Sequence, residues 1–79
     1  MITGAAGSIG SEIVWQVCAF QPKRVVLVDQ AETPLHHLSL EIGKQDVEVA
    51  VESIIADIRN FSMMKAVFEK WQPDVVYHA

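Results

Sequence analysis

Apolar residues near the start of the chain fall at Ile9, Ile13, Val17 and Phe20, in steps of four, four and three. That is the spacing of one α-helical face, and Pro22 predicts where the helix stops. The period then changes. Lys23-Arg24-Val25-Val26-Leu27-Val28-Asp29 is apolar and β-branched through its middle, the composition of a strand covered on both faces. Helical spacing returns at Leu35, Leu38 and Ile42, with Thr33-Pro34 expected as N-cap and first helical residue and Gly43 as the stop. Residues 49–57, centred on Ile54 and Ile55, predict a second strand. Asn60 predicts the cap of a third helix, whose inner face would be Met64, Val67, Phe68 and Trp71 and whose end would be Gln72-Pro73. Residues 74–78 predict a last strand.

Strands that alternate with helices imply βαβ units, a parallel sheet and right-handed crossovers. The expected fold class is α/β, a Rossmann-type parallel sheet with helices on both faces. The expected domain is a partial Rossmann domain over residues 1–79. Only Met1, Ile2 and Thr3 precede the first glycine, although the first strand is central in such a sheet. The chain is therefore read as a fragment of a longer protein, lacking most of its first strand and its second half, and is expected to be poorly stable or oligomeric alone.

Composition narrows the partners more than the chemistry. The 79 residues carry a net charge of −4, with 51% hydrophobic and 20% charged residues. An acidic balance argues against nucleic-acid binding, which needs an excess of Lys and Arg. A single cysteine, Cys18, excludes an internal disulfide and fits a reducing compartment. It is expected as a packed thiol, since no charged neighbour suggests activation.

The candidate chemistry lies in the loop Ile2-Thr3-Gly4-Ala5-Ala6-Gly7-Ser8-Ile9-Gly10. Glycines three apart allow a tight turn from strand to helix and close approach of a pyrophosphate to backbone N–H groups at the helix N-terminus, where the helix dipole favours negative charge. Ser8 adds a hydroxyl. Asp29 follows Gly10 by 19 residues, close to the ~20 expected for a carboxylate on the cofactor ribose. Gln30 and Ala31 come next, with no arginine for a 2′-phosphate, so NAD is favoured and NADP is the alternative. Asp57 is either a turn former before the third helix or a reader of the adenine amino group.

These residues resemble the extended short-chain dehydrogenases/reductases, and more narrowly the polysaccharide-biosynthesis (CapD-like) nucleotide-sugar 4,6-dehydratases. The resemblance runs through Thr3–Glu12, Val28-Asp29 with Glu32, Ala56-Asp57-Ile58-Arg59, and Gln72-Pro73-Asp74-Val75-Val76-Tyr77-His78-Ala79. It implies that Gly4, Gly7, Ser8, Ile9 and Gly10 hold the pyrophosphate and that Asp29 holds the adenosine ribose. It further implies that Asp57 and Ile58 contact adenine and that His78 and Ala79 line the nicotinamide side. The family takes UDP-N-acetylhexosamines, moves hydride through a tightly held NAD(P), and removes water across C5–C6; its products feed capsule, O-antigen and glycan synthesis. The family's acid/base residues and its sugar-nucleotide domain lie beyond residue 79, so no catalytic residue is assigned. The UDP-sugar partner is expected through that further domain, and the parent is expected as a homo-oligomer. It is expected in the cytoplasm, or held at the inner membrane with a cytoplasmic catalytic domain, since long members add membrane helices.

Two alternatives stay open: an epimerase or reductase of the same extended family, and a non-catalytic assembly module. The remaining residues have plainer readings. His36 and His37 are adjacent and point about 100° apart on a helix, unlike the i, i+4 pair of a metal site, so no metal is assigned. Met64 is expected as core filler beside an exposed Met63. Trp15 lies off the Ile13–Val17 stripe and is expected exposed. Asp46, Glu48 and Glu52 are expected on a solvated edge.

Overall fold

The computed structural model describes residues 1–45 and 48–79. In chain order the elements are β1 (Ile2–Thr3), α1 (Ser8–Ala19), β2 (Arg24–Asp29), α2 (Glu32–Gly43), β3 (Ala50–Ile55), α3 (Phe61–Trp71) and β4 (Tyr77–His78). The strands form one parallel sheet in the order β3-β2-β1-β4. The crossover from β3 through α3, past β2 and β1 to β4, leaves β1 as an inner strand although it is only two residues long. Asp46, placed with Glu48 and Glu52 on a solvated edge, lies outside the described residues.

Side chains alternate across the sheet, and each face has its own apolar layer. Ile2, Val25 and Leu27 pack with Val14 and Cys18 of α1 and Leu35, Leu38 and Ile42 of α2. Met1, Val26 and Val28 pack on the other face with Ala56 and Val67, flanked by Met64 and Trp71. Coverage on both faces explains why β2 reads as an unbroken apolar run. The sheet therefore matches the expected α/β class with helices on both faces.

Met1 already sits in the ladder beside β4. Its α-amino group donates to the Val75 carbonyl at 2.8 Å, and the Tyr77 N–H donates to the Met1 carbonyl at 2.9 Å. Burial pushes this amino group below its ordinary pKa, with Asp74 pulling the other way.

The first helix differs from its expected orientation. Its buried positions are Gly10, Val14 and Cys18, while Ile13 and Val17 are half-buried beside them. Ile9 is 72% and Phe20 88% exposed. The reason is steric: the helix meets the loop before it at Gly10, so its small-residue face turns to the sheet. Trp15 is half-buried against the same layer rather than exposed. Cys18 is packed, and burial raises its pKa.

Smaller differences concern element ends. α2 starts at Glu32 after Ala31, so Thr33 lies inside the helix and not at its cap. Pro34 is tolerated there because first-turn N–H groups have no intrahelical partner. Asn60 does cap α3, its Oδ1 accepting the Met63 N–H at 3.2 Å. Gln72 ends that helix with φ +43°. Val67 is buried and Met64 and Trp71 are half-buried, but Phe68 lies 40% exposed at the margin of the face. β3 and β4 are shorter than expected, ending at Ile55 and beginning at Tyr77.

Candidate functional site

All four strands end on one side of the sheet, and the loops leaving them surround a cavity of about 190 Å³. Gly4 comes from the end of β1, Val28, Asp29 and Gln30 from β2, Ala56, Asp57 and Ile58 from the segment after β3, and His78 and Ala79 from β4. Six of the ten site residues expected from sequence therefore line one cavity: Gly4, Asp29, Asp57, Ile58, His78 and Ala79. Gly7, Ser8, Ile9 and Gly10 lie next to it in sequence, on the loop and first turn of α1, outside the lining.

The loop's shape follows from two glycines. Gly4 has φ +68°, a left-handed conformation that disfavours any Cβ, and an added Cβ would lie 2.9 Å from the Ala79 carbonyl oxygen. A Cβ on Gly10 would lie 1.9 Å from the Gly4 carbonyl oxygen and 2.7 Å from its carbon. Helix and loop thus touch backbone to backbone. Gly7 is different, because an added Cβ there would meet only the Gly4 oxygen, at 3.5 Å.

Hydrogen bonds tie the loop to β2. The Ala5 N–H donates to the Val28 carbonyl at 3.2 Å, and the Gly7 N–H donates to the Gly4 carbonyl at 3.2 Å. Asp29 works on both sides. One carboxylate oxygen accepts the Ala6 N–H at 2.9 Å and the other accepts the Ala31 N–H at 2.8 Å. Each oxygen keeps a lone pair for a further donor. Asp29 is therefore structural already, a role that its spacing from Gly10 did not disclose.

The N-terminus of α1 is bare. Gly7 caps it without a side-chain hydrogen bond, and no acidic residue lies in the first turn. Asn60 supplies the cap of α3, and Glu32 supplies a first-turn acid in α2. The N–H groups at the positive dipole end of α1 thus lack a side-chain cap among the described residues.

Two polar pairs complete the site. The Asp57 carboxylate accepts from the Arg59 backbone N–H at 2.9 Å, from Nε at 3.0 and 3.1 Å, and from an Nη at 2.7 Å. These bonds hold the Asp57 pKa down at about 2. Arg59 is correspondingly raised. Across the β1–β4 pair, Thr3 Oγ1 and His78 Nδ1 are 2.7 Å apart. Thr3 was not expected as a site residue; its position opposite His78 follows from strand register, which a single sequence does not display.

A larger cavity of about 590 Å³ lies at the opposite, N-terminal end of the strands, between Ile13, Val17 and Phe20 of α1 and Trp71 of α3. None of the expected site residues lines it. It mixes these apolar groups with Gln16, Lys23, Arg24 and Asp74. Among the described residues no helix is long and apolar enough to cross a membrane.

The comparisons with known proteins agree with one another. A family model described as polysaccharide biosynthesis protein matches residues 1–79. Over the whole chain, the "Probable polysaccharide biosynthesis protein EpsC" of Bacillus subtilis is 40% identical. The "Capsular polysaccharide biosynthesis protein CapD" of Staphylococcus aureus is 35% identical. The "Uncharacterized membrane protein MJ1061" of Methanocaldococcus jannaschii is also 35% identical. The chain spans 13% of the length of each of the first two and 22% of the third. With its whole length matched, the chain belongs to the polysaccharide biosynthesis protein family.

Proposed function

We propose that residues 1–79 are the cofactor-binding portion of a UDP-N-acetylhexosamine 4,6-dehydratase of capsule, O-antigen or glycan biosynthesis, with NAD as cofactor and NADP as the alternative. The observation that carries the cofactor reading is the gathering of Gly4, Asp29, Asp57, Ile58, His78 and Ala79 around one cavity at the strand ends. Ligands of open parallel sheets bind at that edge. The dehydratase reading rests on the sequence resemblance, and the relatives' names support its polysaccharide setting.

The residues present fit a dinucleotide. The close Gly4–Gly10 contact sets the loop backbone against the first turn of α1, and the uncapped α1 terminus suits a pyrophosphate. Asp29 retains acceptor capacity for a ribose diol. The cavity is lined by two carboxylates and by no lysine or arginine; Arg59 is engaged by Asp57. That favours NAD over a 2′-phosphorylated cofactor. Asp57 and Ile58 would flank the adenine, while His78 and Ala79 would face the nicotinamide side. NAD supplies reversible hydride transfer when bound, and the acid/base groups for water loss would come from the rest of the enzyme. We assign that enzyme to the cytoplasmic side and expect it to be a homo-oligomer.

An amide NMR titration with NAD tests this reading. Shifts at Gly7, Ile9, Gly10, Asp29 and Ile58 are expected. Gly7→Val is the informative variant, because its new side chain meets little inside the protein yet obstructs the phosphate path. Dispersed signals that ignore NAD and NADP alike would remove the cofactor assignment.

A further inference from the structure

We infer that Thr3 is a positioning residue that holds His78 with Nδ1 as acceptor, so that the imidazole offers its Nε2–H as a donor to the ligand in the cavity. The proposal rests on the cofactor reading only for what that donor meets, an acceptor oxygen of the dinucleotide.

Thr3 and His78 are direct partners in the parallel β1–β4 ladder, so their side chains lie on the same face of the sheet. The backbone fixes the pair on both sides. The Tyr77 N–H donates to Met1 and the Ala79 N–H donates to Thr3. Thr3 is also the partner of Val28, which lines the same cavity as His78. The imidazole thus stands between a buried hydroxyl and the cavity.

The direction of the bond follows from what Thr3 lacks. It is only 4% exposed, and among the described residues its hydroxyl has no other hydrogen-bond partner than Nδ1, 2.7 Å away. A buried O–H without an acceptor is costlier than an unused lone pair. The hydroxyl therefore donates, Nδ1 accepts, and the proton of the neutral ring resides on Nε2. Among the described residues, neither carboxylate that shares the cavity is hydrogen-bonded to the ring. Asp29 accepts from Ala6 and Ala31, and Asp57 accepts from Arg59. Beside these two acceptors, His78 adds a donor.

The test uses the 79-residue chain with ¹⁵N-labelled histidine, in buffer about two units above the ordinary imidazole pKa. His78 is expected as a single Nε2–H tautomer, with a slowly exchanging Thr3 hydroxyl proton coupled through space to its ring. Thr3→Ser should keep both signatures. Thr3→Val, which preserves shape, should lose the hydroxyl signal, leave the ring a mixture of tautomers, and weaken NAD binding about fivefold. An Nδ1–H tautomer, a mixture already in the unsubstituted chain, or equal NAD affinity of Thr3→Val and Thr3→Ser would overturn the proposal. Failure of NAD to bind any of the three would instead remove the cofactor reading and the ligand role with it, while the imidazole signals still decide the Thr3–His78 arrangement.

Discussion

The two ends of this sheet are built from the same strands and solve opposite problems. At the C-terminal end, backbone groups are pinned at short range by glycines, a carboxylate and a hydroxyl. Gly10 meets Gly4, Asp29 bridges Ala6 and Ala31, and Thr3 meets His78. At the N-terminal end, bulky apolar groups border a cavity three times as large, with a charged amino group in a ladder position. Small residues and exact hydrogen bonding define the first end, and large side chains with little constraint define the second. The difference teaches that the two ends are held by different means: the smaller cavity is bounded by backbone and carboxylate contacts, whereas the larger mixes Phe20 and Trp71 with Gln16, Lys23, Arg24 and Asp74.

The sharpest test of that contrast is Gly10→Ala. A Cβ 1.9 Å from the Gly4 oxygen cannot be absorbed by a side-chain rotation, since the obstacle is backbone. Helix and loop must separate, at a cost of about 3 kcal/mol by the standard of overpacked cores. For a chain of this size that is a large part of its total stability, and a denaturant midpoint would register it. Gly7→Ala should move the same midpoint by less than about 0.5 kcal/mol, because its Cβ has room. Equal losses in the two variants would show that the loop is plastic.

Asp29→Asn comes next. Both carboxylate oxygens accept backbone N–H groups, so an amide leaves one N–H facing an NH₂. About 1–3 kcal/mol of destabilisation is expected in the same midpoint. At the other end of the sheet, Phe20→Ser removes a far larger side chain but one that is 88% exposed. It should cost within about 0.5 kcal/mol. A larger loss there would mean that the open cavity is closed by a partner, a second copy for example, and sedimentation would reveal it.

Much of this was legible in the sequence, and the exceptions have a common origin. The uninterrupted apolar run at Val25–Val28 signals a strand covered on both faces, and the Leu35, Leu38, Ile42 spacing signals the inner face of α2. Local pattern sufficed because each of those residues is simply apolar and buried. The apolar stripe of α1 coincides only in part with its buried face, since Ile13 and Val17 are half-buried there. The contact there is between backbones, so Gly10, Val14 and Cys18 face inward while Ile9 and Phe20 do not. Gly4 and Asp29 line the cavity at the strand ends, whereas Gly7 and Gly10 lie outside its lining. The Asp29 bond to Ala6 and the Thr3–His78 contact were hidden because they join distant segments brought together by strand pairing.

The smallest expected effect concerns Asp57, whose contacts with Arg59 lie at the rim of the cavity. Hydrogen bonds from Arg59 hold its pKa at about 2, below the ordinary 3.8. The folded value is depressed, so the stabilisation is present above the unfolded pKa and is lost as pH falls from about 4 through about 2. The group is exposed and screened, so the effect on global stability should be small. It is better read at the carboxyl itself. In Arg59→Gln the Asp57 carboxyl resonance should titrate nearer the ordinary value, while Asp29 keeps its bonds to Ala6 and Ala31. If Asp57 still titrated near 2 without the guanidinium, the backbone N–H of residue 59 would be the stronger cause. The rim would then be held by the main chain, as the glycine loop is, and the contrast between the two ends of the sheet would extend to its last polar residue.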